Sequence, residues 1–366
     1  MILDGYFARR FLQSFLLILA VFLTLIMLID LIEQLRRFEN ADLGFGQMAT
    51  LMLLNVPGSI KDILPLLMIL STVVLFVSLA RSSELVVTRA IGRSGIRALA
   101  GPCLVALVIG ALAVTMLNPI AAATSNRYQQ LADTYQTGGP AALSLTGEGL
   151  WMRQGGAQGQ AVIHATGYGG AEPVTLYGVT ILSYAPGGGP EQRISAESAQ
   201  LAPGEWVLSK VKVWPLATGR NPETAAKSVD TLRLPTTLTD DRIRESIGQP
   251  NGISIYDLPG TIRALRQAGF ATRKQEVWYM VELARPLFLL SMVLIGAAFT
   301  MRHTRFGGTG IAVLAAILLG FALYFVRNFA QILGENGQIP VILASWGPPI
   351  AAIFLALGLL LHAEDG

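Results

Sequence analysis

The residues of this chain that can hold or move charge are few, and the notable ones border long apolar runs. Asp30, Glu33, Arg36 and Arg37 fall in the stretch Asp30-Leu31-Ile32-Glu33-Gln34-Leu35-Arg36-Arg37, which closes an apolar run with no charge after Arg10. Arginine offers phosphate oxygens a planar fork of donors, so Arg36 and Arg37 at headgroup depth suit contact with an anionic lipid. The same pair can instead snorkel at a membrane interface and pair locally with Glu33. Arg327-Asn328, with Gln331 one turn on, makes a second polar island inside an apolar run. An ionisable group there usually faces protein or a watery cavity. The third island is Ala80-Arg81-Ser82-Ser83-Glu84-Leu85-Val86-Val87-Thr88-Arg89-Ala90-Ile91-Gly92-Arg93-Ser94-Gly95. Ser82 or Ser83 can cap a short helix, and Glu84 in its first turn suits the helix dipole. Leu85, Val86, Arg89 and Ala90 recur at helical spacing, and Gly92 is a natural stop. This predicts a short amphipathic helix, either a membrane-surface loop or a docking helix for a cytoplasmic partner. Arg285-Pro286, after Glu282, reads as a structural helix entry.

Catalytic chemistry is poorly supplied. No Gly-Lys-Ser or Gly-Lys-Thr occurs, so there is no Walker loop for phosphates. The clusters Gly92-Arg93-Ser94-Gly95 and Gly307-Gly308-Thr309-Gly310 lack the strand-then-helix setting of a nucleotide loop. His164, His303 and His362 show no metal-ligand spacing, and Cys103 is the only cysteine. No intramolecular disulfide can form. No apolar run contains the Lys or His that a membrane serine hydrolase needs. The expectation is a chain without metal, cofactor or catalytic residues, and not an enzyme.

The elements that must position these residues follow from composition. The chain has 366 residues, 52% hydrophobic and only 14% charged, with a mean hydropathy of +0.52. Soluble domains carry about 25% charged residues, so this chain is expected to live in a membrane. A net charge of +3 is no nucleic-acid signature. A spanning helix needs about 20 apolar residues. Such runs extend from about Phe11 to Ile32, Ile63 to Ala80, Leu99 to Ile120, Leu283 to Met301, Ile311 to Gln331 and Ile342 to Leu361. The first run is too long for a signal peptide and lacks a small-residue cleavage site, so it reads as a retained span. With the N-terminus inside, Arg9, Arg10, Arg81, Arg89, Arg93, Arg97, Arg302 and Arg305 are cytoplasmic, against Arg36, Arg37 and Lys61 in short outer loops. The excess of basic residues puts both termini in the cytoplasm. Residues 122–277 then lie outside, in the periplasm of a bacterial inner membrane.

That outer segment begins helical and breaks at Gly138-Gly139-Pro140. Runs from Gly149 to Gln154, Gln160 to Thr166, Val174 to Tyr184, Arg193 to Leu201, Trp206 to Trp214 and Ser228 to Leu234 alternate or are β-branched, with glycine and proline turns between them. They predict a sandwich, jelly roll or open barrel. Asp257 then caps a helix that Pro259 enters and Gly269 ends. A further helical stretch from Thr272 leads into the fourth span. The fold class is therefore a six-span α-helical membrane protein with an inserted, jelly-roll-like all-β periplasmic domain. Its parts are 1–121, with spans one to three and a helix near 82–92; 122–277, the β domain with helical connectors; and 278–366, spans four to six.

Taken together these residues resemble the LptF/LptG family, permease subunits of the lipopolysaccharide-export ABC transporter. The likeness covers essentially the whole chain. Ser83-Glu84-Leu85-Val86-Val87-Thr88-Arg89-Ala90-Ile91-Gly92 looks like the family's cytoplasmic signature. Asp30-Leu31-Ile32-Glu33-Gln34-Leu35-Arg36, Val56-Pro57 with Leu64-Pro65-Leu66, Asn118-Pro119, Leu258-Pro259 and Arg285-Pro286 agree in order and spacing. Gly149-Leu150-Trp151 and Ala344-Ser345-Trp346-Gly347-Pro348 look more like the LptG branch than the LptF branch.

The resemblance implies a heterodimer with an LptF-like permease, seated on a dimer of an LptB-like ATPase that binds the ATP and magnesium. It implies an LptC-like periplasmic partner, with lipopolysaccharide entering from the outer leaflet between the first and fifth spans. The helix around Ser83, Glu84, Leu85, Val86, Val87, Arg89 and Gly92 would couple to the ATPase, with Glu84 as its polar anchor. Asp30, Glu33, Arg36, Arg37 and Arg327 would line the substrate path, and spans one, two and five the apolar wall. The rivals are a permease of another lipid or lipoprotein exporter, a non-transporting envelope scaffold, and a lipid-modifying membrane enzyme. The first usually places its large outer domain after span one, and the last lacks a catalytic constellation.

Overall fold

A computed structural model describes residues 2–38, 44–90, 95–137, 143–146, 149–156, 159–169, 175–185, 189–216, 222–236, 252–267, 271–301 and 309–365. Helix α1 runs Ile2–Arg37, α2 Phe45–Arg81, α3 Glu84–Ala90, α4 Gly95–Ala98 and α5 Ala100–Leu112. A π-helical turn, Ala113–Leu117, joins α5 to α6, Asn118–Thr137. After the β strands come α7, Leu258–Gln267, α8, Arg273–Thr300, α9, Thr309–Glu335, and α10, Val341–Asp365. Among the described residues, six helical segments are long and apolar enough to cross a membrane. They correspond to α1, α2, the α4-to-α6 rod, α8, α9 and α10.

The second span differs from its sequence expectation. The apolar run starts the second span at about Ile63 and leaves Lys61 in an outer loop. Pro57 and Pro65 both lie inside one continuous helix of 37 residues, and Lys61 is a buried helical residue, 8% exposed. Proline removes one N–H donor and so orphans the carbonyl four residues earlier. Membrane helices tolerate this where a neighbour re-satisfies the freed group. Pro65 frees the Lys61 carbonyl, and the Arg285 guanidinium of α8 donates to it at 2.9 Å. Pro119 acts the same way in the third span. It frees the Thr115 carbonyl beside the π turn, and the Tyr256 hydroxyl donates to it at 3.0 Å. The Asn118 side-chain oxygen next door accepts the Ile255 N–H at 2.9 Å. The connector that re-enters the membrane is thus pinned to the third span.

Helix α8 is the hub. It packs against α2, α5, α9 and α10, and 72% of its most apolar window is buried, against 11% for α1 and 11% for α9. Small residues let backbones approach. A Cβ on Gly110 would lie 2.5 Å from Pro286 Cα, and one on Gly296 2.9 Å from Thr72 Cβ. Phe7, Phe11, Leu67, Phe76, Phe288 and Met292 fill the common core.

The β strands are β1 Leu143–Thr146, β2 Gly149–Gly156, β3 Gly159–Gly169, β4 Thr175–Tyr184, β5 Pro190–Ala202, β6 Glu205–Pro215 and β7 Lys227–Pro235. They form one antiparallel sheet in the order β1-β2-β3-β4-β5-β6-β7. Six strands fall where alternation put them; β1, only four residues long, carries too little pattern to read. The expectation of an all-β domain holds at this level. The consecutive strand order is that of a meander, without the crossed Greek keys of a jelly roll among the described residues. The turn chemistry explains this, since short connections join nearest neighbours. Pro203-Gly204 closes β5 to β6 with Gly204 at φ 79°. One sheet buries a core by curling. Leu150, Ile163, Ile181, Ile194, Trp206 and Leu208 share the inner face. The ends of the curl meet where the Gln154 amide of β2 donates to the Pro235 carbonyl at 3.3 Å and accepts from the Thr236 hydroxyl at 2.7 Å. On the outer face Lys212 and the Trp214 indole N–H both bond Glu223, which holds that carboxyl below the usual range.

Gly110→Ala should force α5 off the Pro286 backbone and cost about 1–3 kcal/mol, as overpacking does. Thermal unfolding in detergent reads the loss; an unchanged midpoint would refute the close crossing.

Candidate functional site: a cation cluster between the spans and a tethered short helix

At the C-terminal end of α1 the predicted residues separate by role. Arg36 and Arg37 occupy the last turn, where cations suit the helix dipole. Asp30 is 7% exposed and accepts from the Asn55 amide of α2 at 3.0 Å, so it clamps two helices instead of facing a cavity. Arg37 donates to the Tyr128 hydroxyl of α6 at 3.1 Å and lies over the Phe38 and Tyr128 rings. Gln34 donates to the same hydroxyl at 3.0 Å. Glu33 is exposed and pairs with neither arginine among the described residues. That leaves Arg36, exposed and without a partner among the described residues, as the cation free to meet an anion.

Arg327 joins a different group, one that sequence reasoning largely missed. On α8, Glu282 is 1% exposed and accepts from Arg285 at 2.9 and 2.6 Å, a bidentate pair on consecutive turns. The Lys61 ammonium lies 3.3 Å from the same carboxylate and 4.7 Å from the centre of the Trp278 ring. Arg327 of α9 lies over the Phe288 ring at 5.1 Å, near Arg285, Glu282, Tyr324 and Asp62. It has no ion pair among the described residues. Three cations thus face two carboxylates, Glu282 and the exposed Asp62. The surplus positive charge lies within membrane-spanning helices. Only the opposite charges of Glu282 and Arg285, three residues apart, hinted at this in the sequence.

Beside the cluster opens an almost wholly apolar cavity of about 210 Å³. Leu66, Ile69, Met292, Ile317 and Phe321 line it, with Asp62 and Tyr324 at its polar end. Its walls come from α2, α8 and α9.

At the C-terminal end of α2, Ser82 closes the helix and Ser83 turns the chain with φ 58°, a left-handed conformation that L residues rarely adopt. The Ser83 carbonyl accepts the Val87 N–H at 3.2 Å, starting α3. The Ser82 hydroxyl lies within hydrogen-bond distance of the Glu84 carboxylate, at 2.9 Å, and of the Ser78 carbonyl, at 3.1 Å. Val87 is 57% exposed. The side chains of Leu85, Val86 and Arg89, and all of Gly92, lie outside the described residues. Glu84 itself turns inward to α1, accepting from the Tyr6 hydroxyl at 2.9 Å with Arg10 at 3.6 Å.

Six membrane-capable helices, a curled antiparallel sheet between the third and fourth, and a cation cluster beside an apolar cavity describe a polytopic permease-type membrane protein with an inserted β domain. The description "Lipopolysaccharide export system permease LptF/LptG" matches residues 5–362, and the chain belongs to that family. Two similar curated proteins are each named "Lipopolysaccharide export system permease protein LptG", from Escherichia coli K12 and from Escherichia coli O6:H1 strain CFT073. Each is 23% identical over 370 residues, covering 99% of this chain and 98% of the relative.

Glu282→Gln should leave Arg285 and Lys61 as uncompensated buried cations and destabilise the chain by about 3–5 kcal/mol. Lys61→Met added to Glu282→Gln should recover part of that loss in the same unfolding assay, because it removes one of the two buried cations and keeps the Arg285 bond to the carbonyl of position 61. Equal loss in single and double variants would argue against the pair.

Proposed function

We propose that the chain is one permease subunit of an ATP-driven exporter that extracts lipopolysaccharide from the outer leaflet of the bacterial inner membrane and passes it to a periplasmic bridge. The family match along nearly the whole chain carries this reading. The geometry supports it in three ways. First, α1 and α9 are strongly apolar yet mostly uncovered, as suits helices that meet lipid, substrate or a second, LptF-like permease. Second, the apolar cavity suits an acyl chain, and the adjacent surplus cation at Arg327, with Arg36 further out, suits phosphates. An acyl chain of about 12 carbons costs roughly 10 kcal/mol to hydrate at ~0.8 kcal/mol per methylene. Extraction of several chains therefore needs both a shielding wall and an energy source. Third, α3 follows α2 directly and leaves Val87 57% exposed, as a docking helix for an LptB-like ATPase dimer would. The ATP and magnesium belong to that partner, and this subunit carries no catalytic role.

In this reading both termini are cytoplasmic, and residues 122–277 form a periplasmic unit between 1–121 and 278–366. The β domain, a curled antiparallel meander, meets a neighbouring β domain or an LptC-like protein. A non-transporting scaffold would need neither the cation surplus nor the docking helix.

A mild-detergent pull-down from native membranes should recover a soluble ATPase, a homologous six-span subunit and lipopolysaccharide. A chain that emerges without ATPase or lipopolysaccharide would end the transporter reading. Arg36→Glu should reduce photo-crosslinking to lipopolysaccharide by about tenfold, the loss of one charge-assisted contact, with the complex still assembled. Undiminished crosslinking would remove Arg36 from the substrate path.

A further inference from the structure

Glu84 is the one acidic residue of the docking helix, yet its carboxylate is spent inside the chain. One oxygen accepts from the Tyr6 hydroxyl at 2.9 Å; the other accepts from Ser82 at 2.9 Å and lies 3.6 Å from Arg10. Arg10 also donates to the Tyr6 hydroxyl at 3.0 Å and stands 5.4 Å from the centre of that ring. Tyr6 and Arg10, one turn apart on α1, thus close a small network on a residue 78 positions away in sequence. We infer that Tyr6 and Arg10 are positioning residues, with Glu84 as their link: they tie the docking helix to the inner end of the first span, so that movement of α3 reaches α1.

The setting favours transmission. Phe7 and Phe11, on the same turns as Tyr6 and Arg10, are 1% and 0% exposed in the common core. The inner third of α1 is therefore packed, and its outer part is mostly uncovered. A helix of 36 residues is about 54 Å long at 1.5 Å per residue. A small tilt at a packed inner end becomes a large displacement at the far end, where Arg36 stands. The left-handed Ser83 makes the joint between α2 and α3 a single turn, so α3 has few ways to shift without carrying Glu84. Its exposed face, including Val87, stays available to a partner while the carboxylate faces α1.

The consequence for transport rests on the proposed function, and the test separates the two. The complete complex, purified from the native membrane and placed in liposomes containing lipopolysaccharide, is assayed for ATP hydrolysed per lipid released. Tyr6→Phe removes one hydroxyl and no packing. It should leave the ATPase bound and raise ATP consumed per lipid by about fivefold, the scale of one hydrogen bond to a charged group. Glu84→Arg should uncouple more severely, and Arg10→Glu in the same chain should restore part of the coupling, as a charge swap across a direct contact does. An unchanged ratio in Tyr6→Phe, or no rescue by the swap, overturns the tie and leaves Glu84 as a direct contact to the ATPase. If the native chain brings down no ATPase, the transporter reading fails and this inference falls with it.

Discussion

The membrane part of this chain depends on one arginine. Arg285 gives two donors to Glu282 and a third to the Lys61 carbonyl that Pro65 leaves without a helical partner. One guanidinium therefore neutralises a buried carboxylate and repairs a proline break, and it welds α8 to α2 in doing so. In hydrocarbon an unmet carbonyl costs several kcal/mol, so the proline and the arginine need each other. The neighbouring Pro286 supplies the flat backbone surface on which Gly110 rests, which brings α5 to the same place. The hub helix is fixed to its neighbours by polar repair at one residue and close backbone contact at the next.

Tyr256 repeats the device in the third span. There the freed carbonyl is that of Thr115, and the donor comes from the connector beyond the β domain. In both cases a proline that would weaken an isolated helix becomes an attachment point for a second element. Backbone polarity, which lipid cannot satisfy, is used to choose helix partners. The same economy leaves α1 and α9 with few such bonds, and these are the two spans that remain mostly uncovered.

Charge is placed with similar selectivity. Asp30, Arg37 and Glu84 all end up in contacts between elements of this chain, while Arg36 and Arg327 lack ion-pair partners among the described residues. Residue type alone could not separate these groups. Arg36 and Arg37 are adjacent and chemically identical, and only the position of the Tyr128 hydroxyl distinguishes them. The exposed arginine is the better candidate for an anionic headgroup, because binding it costs no internal contact.

The sequence by itself determined the membrane class, the six spans and six of the seven strands. Each rests on a local period or run length that stands clear of its surroundings. It also determined the family, since the ordered short motifs span the chain. Only the tertiary structure decided that the second span reaches back to Phe45, that Lys61 is buried, and that Glu84 faces Tyr6. Those outcomes hinge on which distant donor meets a given acceptor, and a partner 78 or 224 residues away leaves no local pattern. The meander order of the sheet was likewise invisible in alternation, which tells which face a residue takes and not which strand lies beside it.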